Sequence, residues 1–208
     1  MKKSPSKLAE EFYDKIFNLY HEEFNYDLIQ YKEWLDLLIS MMNKGNKILD
    51  LGCGSGRAVK YFIDREFKGV GIDLSDEMLK LARENVKNGE FYKKDFTQLD
   101  FGNNSFDAII SFFALNHIEK EKFKKIISDC KKILKKGGFL LLGMVRGSSE
   151  GYWVGFYGQK MELYGAGYTK KELSDILNSE GYKILKSGIE HFKGKYFEED
   201  QIFLLGKK

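Results

Sequence analysis

Apolar residues recur at helical intervals through residues 5–43, and this part of the sequence gives no strand signal. They fall into two runs, so the spacing predicts two helices before the first strand. The apolar positions of the two runs are Leu8, Phe12, Ile16, Leu19, Leu28, Tyr31, Leu35, Leu38 and Met42.

From residue 47 onward, short apolar runs alternate with amphipathic segments. Strands that alternate with helices predict a parallel sheet covered by helices, the doubly wound class of α/β fold. The predicted strands are 47–51, 69–73, 90–95, 106–113 and 139–145, and the predicted helices are about 56–65, 75–87 and 119–134.

The end of the chain has a different pattern. Thr169 and Glu172 have the spacing of a capping box, which predicts a helix that continues to about residue 180. The apolar runs 182–192 and 201–207 follow, separated by only eight residues. Eight residues are too few for a crossover helix, so the two runs predict an antiparallel hairpin at the edge of the sheet.

Composition indicates one globular unit of 208 residues, because 43% hydrophobic content can fill one good-sized core. The 34 basic and 31 acidic side chains are interleaved, and a net charge of +3 gives little reason to expect a nucleic-acid partner. The longest apolar stretches, near 108–118 and 137–145, are too short to span a bilayer, so no membrane association is expected. Cys53 and Cys130 lack metal-ligand spacing, and the chain needs no disulfide, which predicts a reducing, cytoplasmic location and no metal.

The sequence LDLGCGSGR, residues 49–57, places Gly52, Gly54 and Gly56 directly after the first predicted strand. A strand that ends in a glycine-rich turn and opens a helix points unpaired N–H groups at a ligand above the carboxyl end of the strand. The alternative is a tight turn without a ligand, which three glycines disfavour. A dinucleotide fingerprint, G-x-G-x-x-G, would need its third glycine at the position of Arg57.

At these residues the chain resembles the class I S-adenosylmethionine-dependent methyltransferases, whose first motif is an acid, any residue and then alternating glycines. KILDLGCGSGR matches this motif, and GVGIDLS, KKDFTQLDF, FDAIISFFALNHI and LKKGGFLLL are similar to the later motifs, in order. The resemblance extends from about Lys47 to the end of the chain. It implies a mainly parallel seven-stranded sheet with a reversed final strand, S-adenosylmethionine as the cofactor and methyl transfer as the activity.

The resemblance also implies which residues bind the cofactor. Asp50 is expected to hold the amino end of the methionine, and Asp73 both ribose hydroxyls, because two carboxylate oxygens match a vicinal diol. Asp95 is expected to accept from the adenine amino group while the amide of Phe96 donates to the ring. The rest of the expected pocket is Gly52, Cys53, Gly54, Gly56, Leu74 and Met78.

Several of these residues have a structural alternative. Asp73 could cap the following helix, although Ser75 stands nearer the helix start. Asp95 could be an ordinary loop acid, and Met78 could be plain core.

The fourth predicted strand leads into SFFALNH, residues 111–117, where the resemblance places the reaction. Ser111 and Phe112 are expected to line the cofactor. His117 is a candidate to take a proton from a hydroxyl or a protonated amine. The alternative is a histidine held by hydrogen bonds at a helix start. Few catalytic side chains are needed, because the methyl donor is already activated.

Two absences narrow the methyl acceptor. With Pro5 as its only proline, the chain has neither the Asn/Asp-Pro-Pro-Tyr signature of methyltransferases that modify DNA bases or glutamine nor the proline–cysteine pair used on cytosine. A small metabolite is therefore favoured, with protein and RNA acceptors left open. The aromatic segment 150–168 suits a flat or apolar acceptor, or else packs as a satellite cluster on the sheet edge.

The division of the chain is predicted as a helical lid, residues 1–43, and a cofactor-binding domain, residues 44–208. Tyr13, Phe17 and Tyr20 share one helix face. Tyr13 and Tyr20 are expected to face the cofactor, as leading helices do in similar enzymes; the alternative is that the rings only cover the flank of the sheet.

Two other functions stay open from the sequence. A non-catalytic S-adenosylmethionine-binding protein would have nearly the same pocket, since few side chains carry the chemistry. A nicotinamide-dependent oxidoreductase is disfavoured by the glycine spacing and by Asp50.

Overall fold

The fold is built from six α-helices and nine strands in a computed structural model that describes residues 2–24 and 31–208. The helices are α1 Pro5–Phe24, α2 Lys32–Ser40, α3 Arg57–Ile63, α4 Asp76–Asn85, α5 Lys120–Ile133 and α6 Lys170–Ser179. The strands are β1 Lys47–Leu51, β2 Lys68–Asp73, β3 Glu90–Lys93, β4 Phe106–Phe112, β5 Leu134–Val145, β6 Glu150–Val154, β7 Glu162–Ala166, β8 Lys183–Lys193 and β9 Glu198–Lys207.

Seven of these strands form one sheet in the order β3-β2-β1-β4-β5-β9-β8. The first five are parallel, and β9 runs antiparallel to both β5 and β8. This arrangement confirms the predicted mainly parallel, doubly wound sheet and its terminal hairpin. The strand order reverses between β1 and β4, and in open α/β sheets a ligand crevice forms outside the carboxyl ends of the strands at such a point.

Alternate residues of β1 enter different hydrophobic clusters, because successive strand side chains point to opposite faces. Leu49 packs in a cluster with residues of α5 and α6, whereas Ile48 packs in a cluster with residues of α2 and α3. The apolar stripe of α5 is buried as its spacing predicts, and Cys130 lies in it as a free, buried thiol. Both faces of the sheet are therefore covered by helices.

Local capping signals also form as predicted. The Ser75 side chain accepts from the Met78 amide at the start of α4, and Thr169 and Glu172 form the complete capping box of α6. Such caps satisfy amides that would otherwise lack a partner at a helix start.

The segment 150–168 contains a feature that the sequence pattern did not indicate. Strands β6 and β7 pair antiparallel as a separate two-stranded sheet. We call the segment 150–168 the insert. The α1 residues Phe12 and Ile16, both fully buried, pack in one cluster with Tyr157 and Leu163 of the insert. The insert and the first helix therefore hold each other beside the main sheet.

Two helices precede β1, as predicted, although the predicted apolar position Leu28 lies outside the described residues. Within the described ranges, no helix has both the length and the apolar character needed to cross a membrane.

Candidate active site

The loop after β1 carries three glycines with positive φ: Gly52 at 73°, Gly54 at 51° and Gly56 at 80°. A Cβ on Gly52 would lie 2.1 Å from the Cβ of Ala114, and one on Gly56 would lie 3.0 Å from the Phe91 ring. A Cβ on Gly54 would meet no described atom within 4 Å. Gly52 and Gly56 are thus required by close packing inside the protein, and Gly54 alone faces open space.

A cavity of about 660 Å³ lies between this loop, the carboxyl ends of β2 and β4, and α1. We call it the central cavity. Of the residues expected from the sequence to form the binding site, those that line it are Tyr13, Tyr20, Gly52, Gly54, Asp73, Leu74, Met78, Phe96, Phe112 and His117. Met78 is also 1% exposed, so it belongs both to the core and to the cavity wall.

A smaller cavity of about 400 Å³, the loop cavity, also borders the glycine loop and includes Asp50, Cys53 and Arg57. Asp50 is only 3% exposed. Burial first, and then the nearby charge of Asp73, raise the pKa of Asp50 to about 8, while Arg57 acts in the opposite direction. A carboxyl group whose ionised form is disfavoured in this way gains most from a cationic ligand.

Asp73, at the end of β2, joins the glycine loop to α4. Its Oδ2 accepts from the amide of Gly54 at 2.8 Å, and its Oδ1 accepts from the amide of Ser75 at 2.9 Å. Burial raises the pKa of Asp73, and these amides lower it again in part. Ser75, and not Asp73, is the N-cap of α4. Asp73 lines the central cavity.

His117 ends a short 3₁₀ turn, Leu115–His117, after β4. Its Nδ1 lies 2.8 Å from the carbonyl oxygen of Tyr164, and its Nε2 lies 2.9 Å from the hydroxyl of Tyr13 on α1. A carbonyl can only accept, so Nδ1 carries the proton and Tyr13 donates to Nε2. Burial lowers the pKa of His117, which favours this neutral form. The hydrogen-bonded histidine considered from the sequence is therefore present, with its basic nitrogen bound to a tyrosine of the cavity wall.

Three expected site residues, Ser111, Asp95 and Gly56, line neither of these two cavities. Ser111 is fully buried, and its hydroxyl donates to the carbonyl of Leu51 at 2.9 Å. Asp95 accepts from the amide of Thr97 at 2.8 Å in a local turn. Gly56 packs inside the protein, and Phe17 of α1 is half-buried but absent from the cavity walls.

A third cavity, of about 460 Å³, opens beyond His117, and we call it the acceptor-side cavity. It shares Tyr13, Tyr20, Phe113 and His117 with the central cavity. Its other walls come from the insert and from β9 and the loop before it: Phe156, Tyr157, Phe197, Glu199 and Gln201, with Asn116 and Val145. The aromatic residues of segment 150–168 therefore lie in two environments. Phe156 and Tyr157 face this cavity, whereas Tyr152 and Trp153 are exposed to solvent.

Comparison with known proteins identifies the family. A family model described as "Methyltransferase domain" matches residues 48–138. Uncharacterized protein MJ1123 of Methanocaldococcus jannaschii is 30% identical over 191 residues, which cover 87% of this chain and 85% of that protein. The chain belongs to the class I S-adenosylmethionine-dependent methyltransferases.

Further relatives agree with this assignment. A demethylmenaquinone methyltransferase of Renibacterium salmoninarum is 29% identical over 115 residues, 54% of this chain and 48% of the relative. The chain spans about half the length of this and several other curated relatives it matches. The structure of magnesium protoporphyrin IX methyltransferase from Synechocystis with bound S-adenosylmethionine has the same fold, with a TM-score of 0.78 at 15% identity over 100% of this chain and 98% of that one.

The cavities of this methyltransferase fit its cofactor, S-adenosylmethionine. The buried carboxyl of Asp50 suits an ammonium group, and the open space beside Gly54 leaves room for a ligand against the loop backbone. The central and loop cavities share Tyr20, Gly52 and Gly54, so one elongated molecule can reach from the end of β2 to Asp50.

Sequence reasoning missed several residues of the methyltransferase site. Arg57 served only to exclude a dinucleotide fingerprint, yet it lines the loop cavity with Tyr31. Asp14 of α1 accepts from the Ser75 hydroxyl at 2.7 Å and so fastens α1 to α4. A signal for Arg57 was its place next to the glycine loop, whereas Asp14 and Glu199 have no local sequence signal.

Replacing Asp73 with alanine is expected to weaken binding of S-adenosylhomocysteine roughly ten- to a hundredfold, because a hydrogen bond to a charged group is worth about 1.5–3 kcal/mol. The chain should remain folded. Isothermal titration calorimetry measures the affinity, and Asp76→Ala is the matched control, since Asp76 is an exposed acid paired with Lys93. Unchanged affinity in Asp73→Ala would place the ribose contact elsewhere.

Cofactor binding is expected to release about one proton at pH 7, because Asp50 is then mostly protonated and an ammonium ligand favours its ionised form. Affinity should fall up to about tenfold per pH unit as the pH drops below 8. Above pH 8 Asp50 is already mostly ionised in the empty protein, so the rise in affinity should level off there. Calorimetry with S-adenosylhomocysteine in buffers of different ionisation enthalpy measures the release. Asp50→Asn should abolish it, and a wild-type signal independent of buffer would contradict the role of Asp50.

Proposed function

We propose that the protein transfers the methyl group of S-adenosylmethionine to a small-molecule acceptor bound in the acceptor-side cavity. The observation that carries this proposal is the hydrogen bond between Tyr13 and His117, which stands where the central and acceptor-side cavities meet. A neutral histidine with its basic nitrogen at that junction can take a proton from a nucleophile that attacks from the acceptor side.

The proposed cofactor contacts follow from the central and loop cavities, which both border the glycine loop. Asp50 holds the ammonium and Arg57 the carboxylate of the methionine end in the loop cavity. Asp73 accepts from the ribose hydroxyls in the central cavity with the lone pairs that its two amide contacts leave available. The adenine packs beyond it against the remaining apolar wall, Leu74, Met78 and Phe96, and the predicted contact from Asp95 stays a prediction.

The bound cofactor supplies an electrophilic methyl carbon on a positively charged sulfur. Asp50, Arg57 and Asp73 would hold the cofactor while this methyl carbon passes to the acceptor's nucleophilic atom, with the electron pair of the carbon–sulfur bond leaving on sulfur in S-adenosylhomocysteine. The acceptor's proton passes to Tyr13 as the hydroxyl proton of Tyr13 passes to Nε2 of His117. The carbonyl of Tyr164 then holds the resulting imidazolium through Nδ1.

The walls of the acceptor-side cavity support a small acceptor over a nucleic acid. They are mainly aromatic, and Glu199 is the charged group among the described wall residues. A carboxylate at this point repels phosphate, and the chain's charges of both signs are interleaved along the sequence.

The predicted cytoplasmic location remains part of this proposal. Cys53 and Cys130 are both buried free thiols in the structure. A chain that keeps two reduced cysteines in its core suits a reducing compartment.

The decisive test measures S-adenosylhomocysteine release from S-adenosylmethionine over a panel of small amines, phenols, carboxylic acids and thiols, with bulk tRNA as a separate arm. We expect turnover with a member of the small-molecule panel. Turnover with tRNA alone would overturn the small acceptor. Tight cofactor binding without turnover in any arm would favour the non-catalytic binding protein.

The division into a lid, residues 1–43, and a cofactor-binding domain, residues 44–208, is likewise proposed. Three polar contacts join α1 to the rim of the central cavity: Tyr13 with His117, Asp14 with Ser75, and Glu10 with Lys93 at 2.9 Å. On another face of the same helix, Phe12 and Ile16 are fully buried against the insert, so we propose that α1 opens together with the insert.

We expect S-adenosylhomocysteine to slow tryptic cleavage between Lys7 and Tyr31, because a ligand that contacts α1 favours the closed arrangement. Residues 25–30 of this stretch lie outside the described residues. The loop 193–200 cannot serve as the reference site for cleavage outside the lid, because it contacts the lid: Glu23 of α1 accepts from the amide of Lys195 at 2.9 Å. Cleavage at Lys87, in the turn between α4 and β3, is the better control. Equal cutting of α1 with and without ligand would contradict the lid.

A further inference from the structure

Glu199 is an acid in the wall of an otherwise aromatic and neutral cavity. It lies on β9 two residues before Gln201, which is 2% exposed, so both side chains point from the same face of the strand. Nε2 of Gln201 donates to Oε1 of Glu199 at 3.0 Å. Both residues line the acceptor-side cavity with Tyr13 and His117.

The neighbours of Glu199 on the same hairpin are paired with cations. Asp200 lies 2.8 Å from Arg146 and 3.1 Å from His191, and Glu198 lies 3.1 Å from Lys193. These pairs are exposed at the opposite face of the strand or at its end.

Glu199 itself has no such cation within 4.0 Å among the described residues. Residues 25–30, which the structure does not describe, read NYDLIQ and contain no lysine, arginine or histidine. Burial raises the pKa of Glu199, and the Gln201 contact lowers it in part. Glu199 is half-buried; a partly desolvated carboxylate without a counter-ion is destabilised, and a bound cation offsets that cost.

The aromatic walls add a second attraction for a cation. The Phe156 ring lies 5.0 Å from that of Tyr157 and 5.3 Å from that of Phe197, and Tyr157 lies 6.2 Å from Tyr20. The faces of such rings carry partial negative charge and attract ammonium groups, most strongly where water is excluded.

We propose that the acceptor-side cavity recognises a positively charged ammonium group on the acceptor, held by Glu199 and the surrounding aromatic rings. This inference rests on the proposed methyl transfer and narrows its acceptor to an organic amine with an apolar body. The ammonium group is the feature that the cavity recognises, and the methylated atom can be this nitrogen or another atom of the same molecule.

The competing possibility is a neutral acceptor that hydrogen-bonds to Glu199 in its protonated form. Benzylamine and benzyl alcohol separate the two, because they have nearly the same size and differ in charge at neutral pH. Isothermal titration calorimetry first establishes that S-adenosylhomocysteine binds; failure at this step would count against the methyltransferase site itself and not against the acceptor class. The two probes are then titrated into the loaded protein.

We expect the loaded wild-type protein to bind benzylamine at least about tenfold more tightly than benzyl alcohol, because the ammonium group forms an ion pair with Glu199 that the alcohol cannot form. Glu199→Gln should reduce the preference to a few-fold while S-adenosylhomocysteine affinity is retained. Glu198→Gln is the matched control, because Glu198 is the adjacent exposed acid, and it should keep the full preference.

Equal affinity of the two probes, or tighter binding of the alcohol, would overturn the proposal. So would binding of neither probe to protein that binds S-adenosylhomocysteine, or a preference that survives in Glu199→Gln. The wild-type comparison decides the question even if the Glu199→Gln protein does not fold.

Discussion

Replacing Gly52 with alanine is expected to destabilise the fold by about 2–5 kcal/mol and to lower Tm by roughly 10 °C. Gly52 has φ of +73°, and the new Cβ would lie 2.1 Å from the Cβ of Ala114. The backbone fixes the position of that Cβ, so no side-chain rotation can relieve the clash. Left-handed strain contributes about 1–2 kcal/mol, and the forced displacement of the turn after β4 contributes about 1–3 kcal/mol. Urea and thermal unfolding measure the loss.

Two further glycine variants separate strain from collision and from ligand binding. Gly45→Ala, with φ of +82° and open space around the new Cβ, should lose only the strain energy of about 1–2 kcal/mol. Gly54→Ala should resemble Gly45→Ala in stability but should also weaken S-adenosylhomocysteine binding at least about tenfold, because its Cβ enters the space between two cavities. Equal stability of Gly52→Ala and Gly45→Ala would refute the packing role of Gly52.

Replacing His117 with glutamine is expected to lower kcat roughly 10²–10⁴-fold with the best acceptor of the panel, the usual contribution of a positioned general base. Cofactor affinity should stay near the wild-type value, because His117 acts on the acceptor side of the junction. Tyr13→Phe removes only the hydroxyl that donates to Nε2, and it should lower kcat in the same direction.

The pH profile distinguishes proton transfer from simple packing. Burial lowers the pKa of His117 below its usual value near 6.5, so the base is neutral at pH 7 and the wild-type rate should fall only at more acidic pH, when the imidazole becomes protonated. His117→Gln should lose this acid limb. His191→Gln, the same change at an exposed histidine on β8, should leave kcat and the limb unchanged. A full wild-type rate in His117→Gln would remove His117 from the proposed chemistry.

The glycine loop shows how far residue types predict a site. The sequence indicated a loop that holds its ligand against bare backbone, and the match to the first family motif identified the cofactor. It treated the three glycines alike, whereas the structure gives each a different neighbour: Ala114 for Gly52, Phe91 for Gly56 and open space for Gly54. Ala114 lies in the turn after β4 and Phe91 on β3, both far from the loop in sequence, so nothing within the loop could distinguish the three positions.

The sequence also predicted the positions of the acidic site residues better than the directions of their side chains. Asp73 ends β2, and Asp50 is the next-to-last residue of the adjacent parallel strand β1. The carboxyl ends of such strands meet at one edge, so the sequence pattern places both acids beside the glycine loop, Asp73 in the central cavity and Asp50 in the loop cavity. Ser111 and Asp95 were also expected at the cofactor site; the hydroxyl of Ser111 donates to the carbonyl of Leu51, and Asp95 accepts from the amide of Thr97 in a local turn. The direction of a side chain at the end of a strand depends on where that strand stops, which the pattern fixes only to within a few residues.

The sequence by itself determined the order of strands and helices in the main sheet, its parallel pairing with a reversed final strand, and the cofactor, because periodicity, caps and motifs are all encoded in short windows of the chain. Only the tertiary structure decided what stands opposite the cofactor. Tyr13 meets His117 from 104 residues away, and Glu199 enters the same cavity from the last strand. Such contacts arise when α1, the insert and the terminal hairpin pack on one another, and no local pattern records which side chains that packing brings together.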